Sequence, residues 1–131
     1  MTKLLSLVIC MAGTTWITLM LASLIRARAW TMAGMKLALG NRDKMPELTP
    51  LTGRIERTAR NTLENFVLFA VIALVAHVAG AENAKVTFGA EIFFWARLVY
   101  IPVYYFGITV LRTLVWAAGI AGLAMMLSAM F

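Results

Sequence analysis

Residues 54–78 read RIERTARNTLENFVLFAVIALVAHV, a polar stretch from Arg54 to Asn65 that runs directly into the apolar stretch Phe66 to Val78. The second half reads as a membrane helix, and the first half leads three arginines, Asn61 and Glu64 into it. An ionised side chain at membrane depth costs at least about 2.5–3.5 kcal/mol, so such groups face a protein interior or a wet cavity and mark a site. The reading that follows is a membrane protein with something polar to bind.

The rest of the chain agrees. Of 131 residues, 62% are hydrophobic and only 14% charged, well below the roughly one-quarter charged share of an ordinary soluble domain. A span needs about 20 predominantly apolar residues, and four windows qualify, at about residues 4–25, 61–80, 86–108 and 113–131. The first is too long for a signal-peptide core and ends at Arg26 and Arg28 rather than at a small-residue cleavage site, so it is read as a retained helix. The expected architecture is all-α: a single transmembrane domain over residues 1–131, folded as an integral four-helix bundle. No alternating ten-residue segments suggest a barrel.

Eight of the twelve Lys and Arg residues fall between Arg26 and Arg60. That clustering argues against nucleic acid as the target of the net charge of +6 and follows the positive-inside rule. The loop 26–54 is therefore expected to be cytoplasmic, with four crossings leaving both termini on the periplasmic side. Within the loop, Arg26 to Leu39 is expected to continue as helix along the interface, and Gly40 to Asp43 to turn. Pro46 and Pro50 are expected to bracket an extended piece, with the next helix starting near Gly53 behind a Thr52 cap. Cys10, the single cysteine, is expected to be a small buried apolar residue. His77 lacks nearby acids and makes a poor metal site, so no metal is expected.

On a helix Arg57, Asn61 and Glu64 fall at i, i+4 and i+7 and share one face, with Arg54 and Asn65 beside them. The third window supplies Arg97, Tyr100 and Tyr104 at i, i+3 and i+7, again on one face. Both stripes lie toward the basic side of the bundle. These side chains are expected to face each other or a ligand. Plainer readings remain beside that one: Arg60 as an interfacial anchor, Glu64 with Arg97 as a structural pair, Tyr105 as an aromatic-belt residue, and Glu91 and His77 as interfacial side chains. Pro102, between the two tyrosines, is expected to bend its helix.

These motifs carry a resemblance. Arg-x-x-Arg-x-x-x-Asn-x-x-Glu-Asn at Arg54 to Asn65, Ala-Arg-Leu-x-Tyr-x-x-x-Tyr at Ala96 to Tyr104 and Leu-Arg-Thr at Leu111 to Thr113 resemble the MAPEG superfamily, the membrane-associated proteins in eicosanoid and glutathione metabolism. Gly-Asn-Arg-Asp at Gly40 to Asp43 is similar to its bacterial branch, which implies the inner membrane. The resemblance implies a homotrimer of four-helix subunits with glutathione, as co-substrate, bound between neighbours toward the cytoplasmic side. Arg57, Asn61, Glu64, Arg97, Tyr100 and Tyr104 would contact it, with Arg54 adjoining. Arg112 would be the catalytic residue, approaching the thiol.

The residue types suit that ligand. Arginines clamp carboxylates, Glu64 meets an ammonium, tyrosines donate to oxygens, and a guanidinium beside the sulfur favours the reactive thiolate. The electrophile would be a lipophilic small molecule arriving from the bilayer. Asn65 stands where the lipid-mediator synthases carry tyrosine, and the inner loop is longer than theirs, which argues against a leukotriene or prostaglandin role. The implied activity is a glutathione-dependent transferase or peroxidase. The alternatives are a non-catalytic assembly subunit on the same fold and a small proton-coupled exporter, the latter disfavoured because the arginines near Glu64 oppose its protonation.

Overall fold

Five helices form, and the first four start where a capping side chain accepts from the free N–H groups of the first turn. A computed structural model describes residues 1–131: α1 is Lys3–Ala27, α2 Met32–Leu39, α3 Pro50–Val78, α4 Ala84–Tyr105 and α5 Thr109–Ser128, with no strand. All but the short α2 are long and apolar enough to cross a membrane. The protein is an all-α, multi-pass membrane bundle.

The basic loop departs from the sequence expectation at two places. Arg26 to Leu39 is not one continuous helix, because Arg28 takes a left-handed conformation (φ 53°) that closes α1. α2 then restarts behind Thr31, whose hydroxyl accepts from the Gly34 N–H at 2.9 Å. Gly34 permits this corner: a Cβ there would lie 1.9 Å from the Arg28 carbonyl oxygen. The second departure is the start of α3. Its cap is Thr49, which accepts from the Thr52 N–H at 3.1 Å, and Pro50 is its first residue. Proline is favoured at that position because its fixed φ is helical and its missing N–H would have had no partner. The early start makes α3 29 residues long. At 1.5 Å per residue that is about 43 Å, longer than a hydrocarbon core of about 30 Å, so one end stands clear of the lipid tails.

At the same end of the bundle α4 stops at Tyr105, short of the expected Ile108, and Gly107 turns the chain with φ 73°. Pro102 lies within α4, and the helix carries through it to Tyr105. So close to the helix end, its missing N–H removes one bond without terminating the helix. Cys10 is exposed on α1, not buried, because the buried face of that helix runs through Leu4, Met11, Thr15, Thr18 and Ala22.

α1 packs along α3 and α4 along α5, and α3 against α4 joins the pairs. The apolar core fills the half of the bundle away from the basic loop. There Phe69 and Phe93 stack at 4.6 Å between Leu4, Met11, Ala73, Val86 and Met126. Toward the basic end the interior turns polar, with Thr58, Thr62, Asn65 and Arg97 all buried. α4 and α5 meet through glycine: a Cβ on Gly122 would lie 2.6 Å from the Gly89 carbonyl oxygen and 2.9 Å from the Phe93 nitrogen. Such backbone approach is how membrane helices gain packing energy where no hydrophobic effect separates them from lipid.

Polar ties close both ends. At the far end Thr2 donates to Glu82 at 3.1 Å, His77 also pairs with Glu82, Lys3 pairs with Glu91, and Asn83 donates to the Ala129 carbonyl at 3.2 Å. At the basic end Arg26 bridges Glu56 at 3.1 Å and donates to the Pro46 carbonyl, pinning the loop against α3.

Candidate functional site

At the polar, basic end a cleft of about 350 Å³ opens between α3, α4 and α5. It is lined by Arg57, Arg60, Asn61 and Glu64 of α3, Tyr100 and Tyr104 of α4, and Arg112, Thr113 and Trp116 of α5. Its volume lies within the roughly 300–1,000 Å³ of small-molecule sites. Six of the eight site residues expected from sequence line this one opening; Arg54 and Arg97 do not.

Tyr104 organises the cleft. Its hydroxyl accepts from Arg57 Nε at 3.2 Å, while the Arg112 guanidinium carbon sits over its ring at 4.6 Å from the centroid. One ring thus holds an arginine from α3 and another from α5. Tyr100 meets Tyr104 edge-on at 5.5 Å and carries Arg97 over its own ring at 4.2 Å. Cation–aromatic contacts alternate along α4, and they fix guanidinium planes that would otherwise be free to rotate. Gly53 leaves room for this arrangement, since a Cβ there would lie 3.2 Å from an Arg57 terminal nitrogen.

Arg97 lies under the cleft floor. Only 1% of it is exposed, and it donates to Asn61 Oδ1 at 2.9 Å and Thr62 Oγ1 at 3.3 Å. No carboxylate pairs with it, and its Nε has no hydrogen-bond partner. The Glu64–Arg97 ion pair entertained from sequence does not form; Glu64 instead opens onto the cleft. A buried cation without a counter-ion carries a desolvation cost that two neutral hydrogen bonds and the Tyr100 ring offset only in part. Arg97→Met is therefore expected to leave the thermal midpoint of the ligand-free protein unchanged or raised. A fall equivalent to the roughly 3–5 kcal/mol of a broken buried pair would show that Arg97 is neutralised within the fold.

Arg54 serves the turn instead. Its Nε donates to the Tyr105 carbonyl at 3.0 Å and its guanidinium packs beside Gly107. It satisfies one of the open carbonyls at the end of α4, where a cation also favours the helix dipole. Asn65 bonds back to the Asn61 carbonyl at 2.9 Å and stays within its own helix. Tyr105 is part-buried against the small apolar cluster of Ala22, Ile55 and Ala59. Arg60, read from sequence as an anchor, lines the cleft. Thr113, seen in sequence only as part of the Leu-Arg-Thr motif, and Trp116, not anticipated at all, also line the cleft, with Trp116 one turn beyond Arg112 on the same face of α5.

The electrostatics of the opening are one-sided. Three arginines face a single acid, Glu64, and the first turn of α5 has no side-chain cap and no acidic residue. Free N–H groups at a helix start add to the positive potential. The cleft suits a ligand with more than one anionic group and one cationic group. Arg60 also borders a second groove, of about 540 Å³, between α1 and α3, where Arg26, Arg42 and Glu56 stand above Leu19, Ala22 and Leu63.

No curated protein and no solved structure matches the chain. The model of one protein family does, over residues 4–131, which is nearly the whole sequence. By that match, and with the four long apolar helices in agreement, the chain belongs to the MAPEG family.

Proposed function

We propose that the protein is a membrane-bound glutathione-dependent transferase or peroxidase that acts on lipophilic electrophiles or hydroperoxides. The observation that carries this reading is the convergence of Arg57, Asn61, Glu64, Tyr100, Tyr104 and Arg112, from three helices, on one cleft. Glutathione brings two carboxylates and one ammonium. Arg57 and Arg60 would hold the carboxylates, and Glu64 the ammonium. Arg97 contributes from behind, holding Asn61 in place and adding positive charge beneath the ligand. Arg112, at the α5 wall, would sit beside the sulfur and stabilise the thiolate, so that glutathione itself is the nucleophile and the chain supplies none.

The cleft is open on one side, and long apolar stretches of α3 are bare, including Leu68, Val71, Leu74, Val75 and Val78. A homotrimer would cover such faces and close the cleft. Arg26 lies in the basic groove between α1 and α3, a face that a neighbour would present. In this arrangement residues 1–131 form one transmembrane domain, the basic end faces the cytoplasm, both termini lie on the opposite side, and apolar substrate enters from the bilayer.

Glutathione at a hundredfold excess over its dissociation constant should stabilise the purified protein by about 2.7 kcal/mol. The glutathione disulfide, lacking a thiol, should not support conjugation of an aryl halide. Absence of both a thermal shift and glutathione-dependent turnover sinks the enzyme reading and favours an assembly role.

A further inference from the structure

One side chain in the cleft does not fit a purely polar ligand. Trp116 is 42% exposed, lies on α5 four residues beyond Arg112, and lines the same opening. The two α5 positions share a face, with Trp116 about 6 Å further from the basic end. Every other lining side chain is charged, an amide, a hydroxyl or a tyrosine already engaged by an arginine. Trp116 makes no aromatic or cation–π contact within the chain, and it is the one lining ring not engaged by an arginine. Resting on the glutathione reading, we propose that Trp116 is the specificity-determining wall of the site and selects flat, electron-poor aromatic or conjugated electrophiles by stacking against them.

The geometry gives the two halves of the reaction separate supports on one helix face. Arg112 holds the sulfur, and the indole one turn deeper holds the reacting ring. The thiol proton leaves to solvent. The thiolate sulfur then attacks the ring carbon bearing the leaving group, an S–C bond forms, the carbon–halogen bond breaks, and halide departs with the electron pair. Trp116 takes no part in the bond changes. It offers an electron-rich face to an electron-poor ring, an offset-stacked arrangement that aliphatic substrates cannot use. Thr113, between the two, has its hydroxyl committed to the Thr109 carbonyl at 3.1 Å.

The test uses the purified full chain and two electrophiles in which thiolate replaces halide, chlorodinitrobenzene by addition–elimination on the ring and iodohexane by direct displacement. The readout is the ratio of their kcat/KM values in wild type, Trp116→Phe and Trp116→Leu, with glutathione affinity measured separately by calorimetry. Leucine keeps an apolar wall without a ring face. The aryl-to-alkyl ratio is expected to fall about threefold to tenfold in Trp116→Leu, and to stay within about twofold of wild type in Trp116→Phe. Titration with the dinitrophenyl thioether of glutathione should quench tryptophan fluorescence in wild type and lose most of that quenching in Trp116→Leu. An unchanged ratio in Trp116→Leu, or an equal fall in both variants, overturns the proposal while leaving the enzyme reading intact. Wild type that neither binds glutathione nor conjugates either electrophile removes both.

Discussion

Arg112→Ala is expected to lower kcat/KM for glutathione conjugation by about 10²–10³-fold, the usual cost of removing one preorganised donor to a developing or resident anion. The expectation rests on position. Arg112 is the only cation that α5 places in the cleft, and stacking on Tyr104 at 4.6 Å holds its guanidinium in one plane. The loss should depend on pH. A free thiol ionises near about 8.5, and a guanidinium beside it lowers that value. The wild-type rate should therefore rise with pH along a limb centred below the free-thiol value, and the variant's limb should move up toward it, so that alkaline pH restores part of the lost activity. Arg112→Lys should retain an intermediate rate, because a point charge replaces a planar, stacked one. A stopped-flow measurement of thiolate absorbance against pH would follow ionisation without turnover. If Arg112→Ala leaves the limb in place and the rate within a few-fold of wild type, the sulfur is bound elsewhere.

Gly122→Val is expected to be the most damaging single change to the fold. A Cβ at that position lies 2.6 Å from the Gly89 carbonyl oxygen and 2.9 Å from the Phe93 nitrogen, both backbone atoms that cannot swing aside. Relief requires α4 and α5 to separate along their tightest contact. Overpacking typically costs about 1–3 kcal/mol, a range suited to Gly122→Ala, and the branched side chain should exceed it. The functional consequence follows from geometry, because α4 carries Tyr100 and Tyr104 and α5 carries Arg112 and Trp116. A shift between these helices would loosen the cleft even where the protein still folds. Gly13→Ala is the matched control: that helical glycine has nothing within 4 Å of its ideal Cβ. Thermal midpoints in one detergent should show Gly122→Val well below wild type and Gly13→Ala unchanged or slightly higher. Equal midpoints would mean that the α4–α5 approach contributes nothing to stability.

Much of this molecule could be read before it was seen. Uninterrupted apolar runs dictate membrane helices because a backbone in lipid must satisfy its own hydrogen bonds. The i, i+4, i+7 spacing of Arg57, Asn61 and Glu64 puts them on one face whatever the tertiary contacts are. The misplaced boundaries at Thr49, Arg28 and Tyr105 have local causes: a proline that starts a helix as readily as it ends one, an arginine in a left-handed cap, and a glycine turn. Cys10 was misjudged because membrane helices expose apolar residues to lipid, so small and apolar does not mean buried.

Periodicity and residue type alone determined that this is a helical membrane protein with a cationic, tyrosine-bearing polar layer near its basic end. They could not assign partners within that layer. A helix face says which way a side chain leaves the backbone, but an arginine reaches several ångströms and stops wherever an acceptor or a ring completes it. Tertiary packing therefore decided that Arg54 is used on the Tyr105 carbonyl, that Arg97 lies beneath the floor on Asn61 and Thr62, and that Arg60 and Trp116 complete the opening. Those outcomes depend on how closely α4 approaches α5 and how far α3 extends below them, distances set by whole-helix packing and not by any single motif.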